Sequence, residues 1–153
     1  MTTCKSCQLI RRRDGGAAPP WDSIYRGERW DVAHAYNTSY LGWLVLIARR
    51  HIEALDEMTP AEATELGALL RVVSLALKRQ TGCQKTYILQ FAESAEHPHA
   101  HFHIVPRFAN QAPEDLAYRV MRRLGVPLSQ RCDEAEMNQL ALAIRHQLET
   151  MRG

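Results

Sequence analysis

The segment His97-Pro98-His99-Ala100-His101-Phe102-His103-Ile104-Val105-Pro106-Arg107 places four histidines at every second position. That is the period of a β-strand, whose successive side chains point to opposite faces. Read as a strand, the segment sets His99, His101 and His103 in a row on one face and Ala100, Phe102 and Ile104 on the other. The apolar set demands a covering layer. The imidazole row is not ordinary core, because each buried ring needs hydrogen-bond partners. One stretch therefore calls for a sheet with one packed face and one face that carries a site.

The rest of the chain supplies the sheet and its cover. Ile24-Tyr25-Arg26 and Trp30-Asp31-Val32-Ala33-His34 read as a hairpin around Gly27. The nearly continuous apolar run Gly42 to Ala48 suits a central strand covered on both faces. Thr86 to Phe91 is a further strand, expected to pair antiparallel with the histidine strand. Between them, Thr59-Pro60-Ala61-Glu62 combines an N-cap, a proline at the first helical position and a capping-box glutamate. Leu66, Leu69, Leu70, Val73 and Leu77 then form one apolar stripe, and Gly82 ends the helix. Beyond Arg107, Glu114 to Leu124 reads as a helix, and Asp133-Glu134-Ala135-Glu136 opens a last one running to about Met151. The Arg-, Gly- and Pro-rich stretch from Arg11 to Trp21 reads as a surface loop. The fold class is α+β: an antiparallel sheet of about five strands, a long helix packed on it and two C-terminal helices. The 153 residues suffice for one domain, 1–153, with a core over about 4–107 and a helical extension over 108–153.

Composition narrows the partners and the compartment. With 46% hydrophobic and 24% charged residues, the chain has the make-up of a soluble globular protein. A net charge of +2 selects no partner, and no stretch joins clustered Lys/Arg to stacking aromatics, so nucleic acid is not expected. No apolar run reaches membrane-spanning length. Arg11, Arg12 and Arg13 lead into Asp14-Gly15-Gly16, which is not the apolar core of a signal peptide. Four scattered cysteines make no disulfide framework, and a reducing cytoplasm is the expected location. Cys4-Lys5-Ser6-Cys7 is a redox pair, half of a zinc site or an accidental pair. As a zinc knuckle it needs two further ligands, for which His51 and the histidine row are candidates.

His-x-His-x-His, followed by two apolar residues and Pro-Arg, resembles the signature of the histidine triad (HIT) family of nucleotide hydrolases and transferases. The resemblance extends over roughly residues 4 to 107 and makes His99, His101 and His103 the triad. It implies that His101 attacks the α-phosphorus of a nucleotidyl substrate, forming a nucleotidyl-histidine that water resolves. His103 would hydrogen-bond the phosphate oxygens. Dinucleoside polyphosphates and nucleoside phosphoramidates are the implied substrates, and no magnesium is required. In family members with an N-terminal Cys-x-x-Cys, the first triad histidine completes a structural zinc site. Here that set would be Cys4, Cys7, His51 and His99, with His97 as the alternative fourth ligand. In metal-free members the first histidine borders the phosphate, so His99 is also a candidate nucleotide contact.

The chain departs from the family pattern in three places. The Gly-Gln pair ahead of the triad is replaced by Glu93 to Pro98, where Ser94 is the candidate phosphate donor. The acidic or amide ribose contact near the end of the second strand is missing, and His34 lies there as a candidate substitute. The glycine-histidine pair opening the central strand appears as Gly42-Trp43. Family members commonly pair two-fold so that two five-stranded sheets join, which implies a homodimer. A zinc-stabilised nucleotide-binding module without turnover is the alternative function. An intact His101 favours the enzyme.

Overall fold

A computed structural model describes residues 3–152. Strands β1 (Tyr25–Arg26), β2 (Trp30–His34), β3 (Leu44–Ala48), β4 (Lys85–Leu89) and β5 (His101–Arg107) form one antiparallel sheet in the order β1-β2-β3-β5-β4. The histidine strand is therefore interior, flanked by the central apolar strand and by β4. Register fixes the two faces. Val32, Leu46 and Phe102 stand opposite one another, as do His34, Leu44 and Ile104. On the other face Asp31, Ile47 and His101 form one row and Ala33, Val45 and His103 the next.

Helices α2 (Pro60–Thr81) and α3 (Glu134–Arg152) cover the first of these faces. The α2 boundaries follow from its ends. Thr59 Oγ1 accepts from the Glu62 N–H at 3.2 Å, and the Glu62 carboxylate accepts from the Thr59 N–H at 2.8 Å. Gly82 closes the helix at φ +72°, a conformation a Cβ would disfavour. Glu62 also binds the Arg50 guanidinium at 2.9 Å, and that pairing, more than the cap, holds its carboxyl down to about 2. Arg50 is thereby tied to α2, which anchors the segment carrying His51. Leu69, Val73, Ala76 and Leu77 of α2 and Ala141, Ile144 and Leu148 of α3 close on Trp30, Leu44, Leu46 and Ile104.

Two segments differ from the sequence reading. The first part of the expected Arg11–Trp21 loop is helical: α1 spans Lys5–Asp14, and a 3-10 turn covers Pro20–Asp22. Its buried stripe is Ser6, Ile10 and Arg13, and the arginine is buried only because Asp22 and Asp31 meet it. The expected Glu114–Leu124 helix is instead two 3-10 segments, Pro113–Asp115 and Ala117–Arg123. Leu116 is extended and Ala117 lies at φ +54°, so an α-helix cannot run through them. Asp115 organises the break by accepting from Arg122 and Arg123 at 2.7–2.9 Å. Among the described residues no helix is long and apolar enough to cross a membrane.

Candidate active site and metal centre

The face of the sheet turned away from α2 and α3 opens into a cavity of about 470 Å³. His97, His101 and His103 border it, with Val45 and Ile47 in the floor and, in the wall, Met121 from the second 3-10 segment and Leu124 just after it. The two strand histidines carry opposite tautomers. His101 Nδ1 lies 2.6 Å from the His99 carbonyl oxygen, so Nδ1 holds the proton and donates it there. Nε2 is left with a lone pair. At His103 the partner is a donor: Trp43 Nε1–H points at Nδ1 at 3.0 Å. Nδ1 therefore accepts, and Nε2 carries the proton. The rings stand edge to face with centroids 4.9 Å apart. Burial lowers the pKa of both, that of His103 to about 3, and at His101 the carbonyl contact only partly opposes it. Both rings are neutral at pH 7, one presenting a base and the other an N–H donor.

Trp43 is the residue the sequence reading left without a role. Its alternation with Val45 and Ile47 already puts it on the face of His103. Trp43→Phe keeps most of the ring and removes only the donor that fixes the His103 tautomer. The expected result is a fall in kcat of roughly one order of magnitude, the worth of one oriented hydrogen bond. Thermal unfolding, followed in parallel, should move little.

The other expected residues divide. His97, placed outside the triad by motif register, faces the cavity, with Nδ1 at 2.8 Å from Ser6 Oγ and Nε2 at 3.2 Å from the Tyr36 hydroxyl. Ser94 is exposed at the cavity rim. His34, the candidate ribose contact, stands in the row of Leu44 and Ile104 and also borders the cavity. Its Nδ1 donates to the Ala35 carbonyl at 2.8 Å and its Nε2 accepts from the Gly42 N–H at 2.9 Å, so neither nitrogen is free. His99, the other candidate nucleotide contact, is placed elsewhere. It precedes β5, is fully buried, and does not border the cavity.

His99 belongs instead to a second cluster. Cys4 Sγ, Cys7 Sγ, His51 Nδ1 and His99 Nδ1 all lie within 4.8 Å of one another. The sulfur–nitrogen separations are 3.3, 3.6 and 3.6 Å, and the two Nδ1 atoms are 3.2 Å apart. A tetrahedron with Zn–S of ~2.3 Å and Zn–N of ~2.0–2.1 Å has edges of about 3.6 Å and 3.3 Å, so the donors fit zinc. The outer hydrogen bonds agree. His99 Nε2 donates to the Ala48 carbonyl at 2.5 Å and His51 Nε2 to Glu53 Oε1 at 3.3 Å. Both Nδ1 lone pairs are thereby turned on each other, an arrangement that a cation between them stabilises. His97 is bonded elsewhere, which selects His99 as the fourth donor.

Known proteins carry the same architecture. The HIT domain family matches residues 20–110. A structure described as a hypothetical histidine triad nucleotide-binding protein from Sulfolobus tokodaii is similar with a TM-score of 0.70 at 19% identity, over 95% of this chain and 94% of that one. A zinc-bound histidine triad family protein from Mycobacterium smegmatis gives 0.66 at 20% identity, over 97% and 96%. A histidine triad protein from Bradyrhizobium japonicum gives 0.66 at 24% identity, over 82% and 89%. No curated protein matches the sequence.

Proposed function

The chain belongs to the HIT domain family, and from that premise we propose that it is a nucleotide hydrolase or transferase with His101 as its nucleophile. The observation that carries this reading is the pair of opposite tautomers in one cavity. The Nε2 lone pair of His101 attacks the α-phosphorus. A P–N bond forms as the bond to the leaving group breaks, and the departing atom takes a proton from solvent, which the attacking water gives back in the second step. Nε2–H of His103 donates to a phosphoryl oxygen as charge gathers there. Water then attacks the same phosphorus, the P–N bond breaks, and the nucleoside monophosphate leaves with His101 restored. Dinucleoside polyphosphates and nucleoside phosphoramidates both present such a phosphorus. A panel of adenosine and guanosine derivatives of each kind, assayed for monophosphate release, should give turnover with at least one. Binding without release across the panel would refute the enzyme.

Cys4, Cys7, His51 and His99 would hold a structural zinc, leaving no coordination position for substrate. Bound there, the metal supplies a cross-link between α1 and the start of β5. The four free thiols favour a reducing cytoplasm. The working unit we propose is a two-fold homodimer. β4 is an edge strand with an unpaired outer side, and Ile88 and Phe91, at its edge and just beyond it, are 43% and 53% exposed. Pairing such an edge across a two-fold axis removes both liabilities. Light scattering should return twice the 17.5 kDa chain mass; the chain mass itself would refute the dimer.

A further inference from the structure

A second polar group borders the cavity, and the chemistry at His101 does not use it. Asp22 is 1% exposed. Its Oδ1 accepts from Arg13 Nη2 at 2.7 Å and Nε at 3.3 Å, while Oδ2 has no partner among the described residues. Arg13 is buried as well, its Nε donating to the Asp22 carbonyl at 2.6 Å and its Nη1 reaching Asp31 Oδ2 at 3.5 Å. A buried ion pair seldom adds stability over apolar residues of the same volume. A buried carboxylate oxygen without a donor is actively unfavourable. The pair is better explained by a donor that arrives with a ligand.

Its position says which part of the ligand. Asp31, against which Arg13 rests, stands in one row with Ile47 and His101. Two strand spacings, about 10 Å, separate the ends of that row. The floor between is apolar, made by Ala33, Val45 and Ile47 with Leu9 beside them. A nucleotide whose α-phosphate meets His101 and His103 would lay its sugar and base along this floor. The apolar surface suits the flat face of a base, and the carboxylate at the far end suits an N–H on its edge. The length of the row favours a two-ring base.

We infer that Asp22, held by Arg13, is a specificity-determining residue that accepts a hydrogen bond from an N–H on the base of a purine nucleotide. The inference rests on the cavity being the nucleotide site proposed above. Adenine and guanine both offer such donors. Purine riboside 5′-monophosphate has the same ring and sugar phosphate but no base N–H at all.

Calorimetric titration of the intact protein with AMP, GMP, purine riboside 5′-monophosphate and 2′-deoxy-AMP tests this. AMP or GMP should bind roughly ten- to a hundredfold more tightly than the purine riboside compound, the worth of one hydrogen bond to a charged group. Which of the two binds better identifies the donor. Asp22→Asn keeps an acceptor for Arg13 but puts an amide N–H₂ at the Oδ2 position, so it should collapse that preference to within about threefold. Equal binding of the purine riboside compound by the wild-type protein would overturn the inference, with or without a folded variant. A loss confined to 2′-deoxy-AMP would overturn it in favour of a sugar contact. Failure of all four to bind would overturn the nucleotide site itself, a result distinct from binding without base preference.

Discussion

His101→Ala should abolish monophosphate release, by roughly four orders of magnitude or more, while nucleotide still binds. The lone pair on Nε2 is the group proposed to form the bond to phosphorus, and no other histidine at the cavity has one free. His103 Nε2 carries a proton, and both His97 nitrogens are engaged. The substitution removes one hydrogen bond, to the His99 carbonyl, so its effect on stability should be about 1 kcal/mol. His103 and the apolar floor remain for binding. Turnover within about tenfold of wild type would exclude His101 as nucleophile, since so small a ratio is little more than 1 kcal/mol in the barrier. His101→Gly opens a space where added imidazole should restore part of the rate.

Metal removal should have the second large effect. Elemental analysis should find one zinc per chain, and stripping it with a chelator should lower the thermal midpoint by roughly 10 °C or more, because structural zinc binding is also folding free energy. Helix α1 shows why the dependence should be strong. Its N-cap is Cys4, which makes no capping hydrogen bond, and its first turn holds no acidic residue. The usual devices for starting a helix are missing, and zinc held by Cys4 and Cys7 would take their place. Cys4→Ser should reproduce the stripped protein. A preparation with reduced thiols, full activity and no metal would rule the site out. Loss of zinc should also raise KM, because α1 brings Ser6, Leu9 and Arg13 to the cavity.

These two sites were not equally legible. The period of two around His101 and His103 placed both rings on one face, and register confirms it. The α2 ends were legible because Thr59, Pro60, Glu62 and Gly82 are all local signals. What periodicity did not show was whatever depended on distant partners. His99 continues the alternation in sequence but lies ahead of β5, bonded to the Ala48 carbonyl, and it was the family resemblance, not the period, that set it beside Cys4, Cys7 and His51, where the structure has it. Arg13 looks like a loop arginine until Asp22 and Asp31, 9 and 18 residues away, are folded against it. The Oδ2 of Asp22 has no signature at all: a carboxylate left without a donor is a property of packing. At residues 113–123 the apolar spacing was helical, but a positive φ at Ala117, stabilised by the arginine pairs to Asp115, overrode it.

The place of β5 inside the sheet has a consequence for how this molecule comes apart. His101 and His103 lie on a strand bonded on both sides, whereas the remaining walls of the cavity come from α1 near one terminus, the loop at 91–98 and the 3-10 segment Ala117–Arg123. Amide hydrogen exchange samples such openings in order of their free energy. The amides of β5 should be among the last to exchange, and those of the surrounding walls among the first. Under mild destabilisation the molecule would then lose discrimination between nucleotides while its nucleophile still stood in place. In the same way, substitutions in the walls can retune what is bound without disturbing the strand that reacts.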